Sequence, residues 1–248
     1  MYRNDMILCY NQSVNIDIIT GENMKAVIFD FNGTMFFDSD KHEKAWERYL
    51  GKLIGRKITD EEFKKYVHGR NSSFIIEHFL NKKMDKETLM NMSDEKEGVY
   101  RKLCLEDKEN FHLVNGLTGF LDYLKEKDIN VNIATASNKE NIDFYFNNFS
   151  LGNWFDYDKV VYDDGTLPGK PEPDIYLKAA ENIGIDPGDT IVFEDALSGI
   201  KSAFNGGFAK IIVIADKENK AYFESLKEVY GVLKDFTEAI RYIEQLTQ

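Results

Sequence analysis

The first residue whose type and position suggest chemistry is Asp30. It follows a short apolar run, AVIF at residues 26–29, and precedes the turn residues Gly33 and Thr34. Such a run predicts a strand that is buried on both faces and carries Asp30 at its carboxyl end. In an open parallel sheet, ligands bind outside the carboxyl ends of the strands. Because a carboxylate is ionised at neutral pH and needs no separate base, Asp30 is a candidate nucleophile.

Two other stretches offer groups that bind anions. Thr135 ends a second apolar strand, and Ala136 and Ser137 lead into a predicted helix. The hydroxyl and the N–H groups of a helix start can hold an anion, although an ordinary N-cap is the alternative interpretation. Three of the four prolines of the chain fall within residues 168–173. They predict a rigid loop that presents Lys170 just before a helix.

Two adjacent carboxylates, Glu194 and Asp195, close a further apolar strand, TIVF at residues 190–193. Neighbouring carboxylates at the end of a buried strand repel each other unless a cation lies close by. Carboxylate oxygens are the hard ligands that Mg²⁺ prefers. The pair therefore predicts a magnesium site.

The elements that must position these residues follow an alternating pattern. Strands are predicted at 131–135, 159–162, 190–193 and 210–214, and helices at 117–127, 138–149, 173–183 and 197–205. Strands that alternate with helices predict right-handed crossovers. The predicted fold class is therefore α/β, with a Rossmann-like, doubly wound parallel sheet as its core.

A helical block interrupts this pattern directly after the first strand. Residues 40–113 contain no convincing strand, and Ala45, Trp46 and Tyr49 recur with the spacing of one helix face. Further helices are predicted at 60–68, 72–82, 86–91 and 94–106. The block is predicted to be an inserted all-helical domain. Before the first strand, residues 13–20 alternate like an exposed strand, and no role is assigned to them.

Together the motifs resemble those of the haloacid dehalogenase-like superfamily. The sequences DFNGT at Asp30, TAS at Thr135, the Lys170 loop and EDALSGI at Glu194 have that family's order and spacing. The nearest branch is the helical-cap group that is similar to β-phosphoglucomutase and phosphoglycolate phosphatase. The domain division that the resemblance implies is an N-terminal extension at 1–23, a catalytic core at 24–37 and 114–248, and a helical cap at 38–113.

The resemblance also implies catalytic roles. Asp30 would form an aspartyl-phosphate, and Lys170 would neutralise both this carboxylate and the phosphate oxygens. Thr135, with Ala136 and Ser137, would bind the phosphoryl group.

The same resemblance implies a set of Mg²⁺ ligands. Asp30, Asp195 and the backbone carbonyl of Asn32 would bind the ion directly, and Glu194 would bind it directly or through water.

Two residues of the helical block are candidates for substrate binding. His42 lies twelve residues after Asp30, as does a His in that branch that contacts the active site from the cap hinge. A helix-capping role for His42 is equally open. The resemblance also implies that Arg70 falls where cap residues of that branch meet substrate, so it would bind a distal anionic or hydroxyl group. A plain surface arginine is the alternative.

Asn32 departs from the family pattern, because phosphatases of this family carry an acid/base Asp at that position. An Asn side chain orients groups by hydrogen bonds, but it neither donates a carboxyl proton nor accepts a proton from water. Loss of general acid–base help typically costs about 10²–10⁴ in rate. Asn32 therefore remains a candidate catalytic residue with an altered role.

Composition limits the partners. The 248 residues have a formal net charge of −12, which disfavours nucleic acid and anionic membrane surfaces. Cys9 and Cys104 have no paired spacing, so neither a disulfide framework nor a zinc site is predicted. No run of 18 apolar residues and no signal-peptide pattern occurs. A cytoplasmic protein is expected, as a monomer or alternatively a dimer.

Three functions follow from these observations. The favoured one is a Mg²⁺-dependent phosphatase of a small phosphorylated metabolite, slowed by Asn32, restricted to good leaving groups, or using another base such as His42. The alternatives are a β-phosphoglucomutase-like phosphotransferase and a catalytically weakened, phosphate-binding regulatory protein.

Overall fold

The computed structural model describes residues 24–67 and 72–246. In this part of the chain, parallel strands form one sheet in the order β2-β1-β3-β4-β5. The strands are β1 Ala26–Phe29, β2 Asn130–Ile133, β3 Thr190–Glu194, β4 Lys210–Ile214 and β5 Gly231–Leu233. The predicted α/β class and parallel sheet are confirmed.

Side chains on both faces of the sheet are buried. Val27 and Phe29 of β1 belong to one core cluster, whereas Ile28 belongs to the cluster on the opposite face. This division follows from the two-residue period of a strand. It explains why a continuous apolar run, rather than an alternating one, encodes β1. Asp30, the next residue, lies where β1 ends between β2 and β3.

The helices of the described residues divide into two groups. Those between β1 and β2 are α1 Ser39–Ile54, α2 Asp60–Glu62, α3 Ser72–Leu80, α4 Lys86–Glu106 and α5 Leu117–Glu126. Those after β2 are α6 Lys139–Phe149, α7 Asp174–Ile183, α8 Leu197–Asn205, α9 Lys217–Glu224 and α10 Ala239–Leu246.

The helical insert, which we define as α1 to α4, has its own small apolar cluster. Trp46 and Leu50 of α1 pack there with Ile75 and Ile76 of α3. The residues that were predicted as two helices at 86–91 and 94–106 form the single helix α4. This prediction was wrong because nothing between the two segments breaks the backbone hydrogen bonding. The predicted domain boundaries stay predictions.

Other local predictions also differ from the structure. The strand predicted at 159–162 is wrong: a 3₁₀ turn occupies Tyr157–Lys159, and only Val161 pairs with the sheet, through Ala134. Here the side chain of Asn132 donates to the Lys159 carbonyl at 2.8 Å. This carbonyl oxygen therefore has a side-chain partner in place of the backbone N–H that a neighbouring strand would provide. Strand β5, which has three residues and lies at the end of the strand order, was not predicted.

No helix in the described ranges is both long and apolar enough to cross a membrane. The alternating segment at 13–20 lies outside the described residues.

Candidate active site

The carboxyl ends of three neighbouring strands bring the predicted residues together. Asp30 follows β1, Glu194 ends β3, and Thr135 follows β2 by two residues. Because neighbouring strands are parallel and in register, with Phe29 opposite both Ile133 and Phe193, their carboxyl ends meet. The sheet thus places side chains that are far apart in sequence around one site.

Lys170 links the nucleophile candidate to the acidic pair. Its Nζ lies 2.6 Å from Asp30 Oδ1 and 2.7 Å from Glu194 Oε1. Burial alone would lower the pKa of this ammonium, but the two carboxylates raise it, so Lys170 stays charged. Burial raises the pKa of Asp30 to about 7, with Glu194 adding to the shift and Lys170 opposing it.

Both carboxylate oxygens of Glu194 accept hydrogen bonds, and one of these bonds comes from Lys170. Besides Lys170, Oε1 accepts from the hydroxyl of Tyr176 at 2.9 Å. Oε2 accepts from the backbone N–H groups of Asp195 and Ala196, both at 2.8 Å. A side chain at Gly199 would prevent this arrangement, because a Cβ there would lie 1.5 Å from Glu194 Oε1.

The carboxylates of Asp30, Glu194 and Asp195 fit a divalent cation. One oxygen from each lies within 4.8 Å of the others. Burial, and after it the charges of Glu194 and Asp30, raise the pKa of Asp195 well above its ordinary value. Three carboxylates share one ammonium here, so the ionised cluster carries negative charge that Lys170 does not balance. Hard oxygen donors with uncompensated charge suit Mg²⁺. Glu194 adds its charge to the cluster while both its oxygens accept hydrogen bonds from Lys170, Tyr176 and the backbone.

Gly33 allows the turn after β1 to pack closely on Asp195. Its φ is +80°, and a Cβ there would lie 2.1 Å from Asp195 Oδ2. Thr34 Oγ1 donates to Asp195 Oδ1 at 3.3 Å. The glycine in DFNGT therefore serves the carboxylate cluster as well as the turn.

Thr135, Ala136 and Ser137 form the opposite side of the site, just before α6. The backbone N–H of Ser137 donates to Thr135 Oγ1 at 3.2 Å, and Asn138 caps the helix by accepting from the N–H of Asn141. All three predicted residues line the same cavity as Asp30. Hydroxyls near the start of a helix are placed to donate hydrogen bonds to phosphoryl oxygens.

Asn32 is held by hydrogen bonds on both ends of its amide. Nδ2 donates to Asp38 Oδ2 at 2.6 Å and to the hydroxyl of Tyr145 at 2.8 Å. Oδ1 accepts from Ser137 Oγ at 2.6 Å and from Thr135 Oγ1 at 3.4 Å. The amide nitrogen thus faces the protein interior, and the carbonyl oxygen faces the hydroxyls of the site.

His42 lies beside Asn32 with both ring nitrogens in contact. Nε2 is 3.4 Å from Asp38 Oδ2, Nδ1 is 2.9 Å from Lys96 Nζ, and the ring stacks on Tyr100 at 3.9 Å. Since an ammonium only donates, Nδ1 accepts from Lys96 and Nε2 carries the hydrogen. This arrangement leaves no free lone pair on His42, which weakens the hypothesis that it replaces the missing base.

A cavity of about 340 Å³ lies between the carboxyl ends of the strands and the helical insert. Of the residues that the structure describes, those that line the cavity besides the predicted ones are Ser72, Ser93, Glu97, Asn138, Asp163, Ala196 and Ser198. This volume is near the lower end for ligand pockets and suits a small metabolite.

Of the predicted site residues, Arg70 lies outside the described residues, and the structure brings all the others to this cavity. Sequence reasoning missed Asp38, Tyr100, Tyr145 and Tyr176. The tyrosines look like ordinary core residues of amphipathic helices, because a hydroxyl partner on another element leaves no local pattern.

Comparison with known proteins agrees with this geometry. A sequence profile of haloacid dehalogenase-like hydrolases matches residues 24–207. The chain belongs to the haloacid dehalogenase-like hydrolase family. The structure of a HAD hydrolase of family IA, variant 3, from Entamoeba histolytica superposes with a TM-score of 0.84 and 35% identity, over 90% of this chain and 99% of the other.

Curated relatives within the haloacid dehalogenase-like family are more distant. The phosphorylated carbohydrates phosphatase of Thermotoga maritima is 27% identical over 224 residues, covering 86% of this chain and 99% of the relative. The β-phosphoglucomutase of Mycobacterium bovis is 25% identical over 218 residues, covering 78% of this chain and 82% of the relative. The resemblance to the helical-cap branch is confirmed.

Proposed function

We propose that this haloacid dehalogenase-like hydrolase is a phosphatase of a small phosphorylated metabolite, such as a sugar phosphate. The observation that carries the proposal is the position of Asp30. Its carboxylate lies at the floor of a small cavity, 2.6 Å from the buried Lys170 and beside Asp195. A carboxylate that an ammonium holds within a cavity of this size is placed for nucleophilic attack on a bound phosphate ester.

In the first half-reaction, a carboxylate oxygen of Asp30 bonds to phosphorus as the bond to the leaving oxygen breaks. Lys170 holds Asp30 and neutralises the charge that builds on the phosphoryl oxygens. Thr135 and Ser137 turn their hydroxyls from Asn32 toward those oxygens. The leaving oxygen takes a proton from solvent or from the site, because Asn32 has no acidic proton to give.

In the second half-reaction, water attacks the phosphorus, and the bond between phosphorus and Asp30 breaks. The carboxylate returns, inorganic phosphate leaves, and the water proton passes to solvent or phosphate. Without a carboxylate at position 32, this step is the slow one.

Asp30, Asp195 and the carbonyl of Asn32 would hold Mg²⁺, with Glu194 contacting it directly or through water. When bound, the ion would supply charge neutralisation between the nucleophile and the phosphate.

The rest of the cavity lining supports a hydroxyl-rich leaving group. The described side chains there are hydroxyl, amide and carboxylate groups rather than aromatic or large apolar ones, contributed by Ser72, Ser93, Glu97, Asn138, Asp163 and Ser198. Such groups bind sugar or polyol hydroxyls, whereas an aryl group would gain little there. The name of the Thermotoga maritima relative supports the same class.

Two alternatives retain support. Similarity to β-phosphoglucomutases supports a phosphotransferase. Asn32 supports a phosphate-binding regulatory protein, because an amide has replaced the proton-transfer group. The cytoplasmic location and the monomeric state stay predictions.

The deciding experiment is a panel of phosphorylated metabolites with Mg²⁺ and with EDTA. Phosphate release that EDTA abolishes, and that Asp30→Asn also abolishes, supports the phosphatase. Conversion of a sugar phosphate into its isomer without phosphate release would instead support the mutase. Saturable binding without turnover on any substrate would support the regulatory protein.

A further inference from the structure

A buried carboxylate lies directly behind Asn32. Asp38 is 1% exposed and precedes α1, in the segment that connects β1 to the helical insert. Its Oδ2 accepts from Asn32 Nδ2 at 2.6 Å and from the hydroxyl of Tyr100, and its Oδ1 accepts from the Gly33 N–H at 3.2 Å. The function proposed above gives Asp38 no role.

The partners around Asn32 determine which end of its amide faces the cavity. A carboxylate oxygen only accepts, so it must meet the nitrogen of the amide. The second amide hydrogen goes to the hydroxyl of Tyr145, which lies 3.0 Å from that of Tyr100. With both hydrogens engaged inside the protein, the carbonyl oxygen is left on the side of Ser137 and Thr135.

We propose that Asp38 is a positioning residue that fixes Asn32 with its carbonyl oxygen, rather than its amide nitrogen, toward the phosphoryl group. The inference rests on the phosphatase function proposed above. A carbonyl oxygen in that place accepts a hydrogen bond from the attacking water or from the leaving hydroxyl. Asn32 thereby keeps the orienting half of the task of a carboxylate, although it cannot take the proton.

The hydroxyls of the site make this oxygen available at the right stage. In the structure, Ser137 and Thr135 both donate to Asn32 Oδ1. When a phosphate enters, these hydroxyls are expected to rotate toward its oxygens, since a hydroxyl hydrogen turns to suit its partner. Oδ1 then has lone pairs free for water. A flipped amide would present a donor instead, and a donor does not hold an attacking water with its lone pair toward phosphorus.

The test compares Asp38→Asn with an isosteric exchange, Asn32→Asp/Asp38→Asn. In the single variant, two amides face each other and Asn32 is free to flip. In the double variant, the carboxylate and its amide partner have changed places, and the hydrogen bond between them is restored. Asp40→Asn is the matched control, because the Asp40 side chain is 51% exposed and pairs with Lys41 and Lys44, away from Asn32.

Two readouts separate positioning from a general structural effect. In metal-free, ¹⁵N-labelled protein, the side-chain amide signals of Asn32, assigned by their loss in Asn32→Asp, report on amide exchange. Decay of the phosphoenzyme formed from acetyl phosphate with Mg²⁺ reports on the water step. We expect Asp38→Asn to accelerate hydrogen exchange of the Asn32 side-chain amide by about tenfold, which corresponds to the loss of one hydrogen bond. The same variant should slow hydrolysis of the phosphoenzyme by about tenfold. KM should change less than twofold, and the double variant should regain wild-type decay or exceed it.

The inference would be overturned if Asp38→Asn showed the wild-type rates of both Asn32 side-chain hydrogen exchange and phosphoenzyme hydrolysis. It would also be overturned if the double variant hydrolysed its phosphoenzyme no faster than Asp38→Asn. If the wild-type protein forms no phosphoenzyme and hydrolyses nothing in the panel, the proposed function fails. The amide exchange measurement still decides the orientation of Asn32 in that case, because it needs neither metal nor substrate.

Discussion

The amide nitrogen of Asn32 lies 2.6 Å from a carboxylate oxygen of Asp38, and this contact joins the nucleophile motif to the segment that enters the helical insert. It pairs the residue that departs from the family pattern with a carboxylate six positions further along the chain. The carboxylate missing at position 32 therefore has a close neighbour, and substitutions at the two positions should be coupled.

The first prediction concerns Asn32→Asp as a single change. It places a second carboxylate about 2.6 Å from buried Asp38 and removes a donor, so we expect a loss of about 1–3 kcal/mol in the free energy of unfolding. Urea denaturation of the metal-free protein measures this loss. Adding Asp38→Asn should recover most of the lost stability. A single variant as stable as the wild type would contradict the observed pairing.

The second prediction concerns the nucleophile. Asp30→Asn should lower turnover by at least about three orders of magnitude, because an amide cannot form the acyl phosphate. Phosphate release from the best substrate of the panel measures this effect, and the thermal unfolding midpoint checks that the variant is folded. Retention of more than a few per cent of activity in freshly purified protein would assign the nucleophile to another residue.

The third prediction concerns the cation. Asp195→Ala removes a proposed ligand carboxylate from the cluster with Asp30 and Glu194, so Mg²⁺ affinity should fall by about tenfold or more. Isothermal titration of the metal-free protein with Mg²⁺ measures the change without reference to activity. Asp186→Ala, at a 3₁₀ turn outside the carboxylate cluster, is the control. Equal Mg²⁺ affinities in the wild type and Asp195→Ala would place the ion elsewhere.

The fourth prediction concerns pH. The pKa of Asp30 is raised from 3.8 to about 7, so the folded state binds this proton more tightly than the unfolded state. The resulting stabilisation is fully present below the unfolded pKa of 3.8, declines as the pH rises between the two values, and is lost above about 7. Metal-free protein should therefore melt at a higher temperature at pH 5 than at pH 8.

The raised pKa of Asp195 has the same sign. Carboxylates elsewhere whose pKa is lowered, such as Asp143, stay ionised across this range and should not oppose the trend. Saturating Mg²⁺ should raise the melting temperature more at pH 8 than at pH 5, because it competes with protons for the same oxygens. A melting temperature in EDTA that rises with pH over this range would contradict the arrangement.

The fifth prediction concerns the leaving group. An acyl or aryl phosphate leaves as a weakly basic anion and hardly needs the acid that Asn32 lacks, whereas a sugar alkoxide does. With acetyl phosphate we therefore expect a burst, followed by slow turnover limited by hydrolysis at Asp30. Rapid-quench measurement of the phosphoenzyme tests this expectation. Asn32→Asp/Asp38→Asn should abolish the burst and accelerate sugar phosphate hydrolysis by about 10²-fold or more.

Much of the site follows from the sequence because its motifs are short and local. Each motif indicates a strand end or a loop: the apolar run that ends in Asp30, the loop of prolines around Lys170, and the carboxylate pair at Glu194. Parallel strands bring their carboxyl ends together whatever the details of packing. Those patterns therefore sufficed for the α/β class and the family, and the predicted residues other than Arg70 line one cavity.

The partners of Asn32 depended on tertiary packing. Tyr100 comes from α4 and Tyr145 from α6, 68 and 113 residues beyond Asn32. In sequence each is one more aromatic residue on an amphipathic helix, and helical periodicity reports which face is buried but not which hydroxyl meets which amide. The same limit hid the role of Tyr176 and the engagement of both ring nitrogens of His42. The orientation of a side-chain amide depends on the donors and acceptors around it, and in this protein those come from separate helices that only the folded chain brings together.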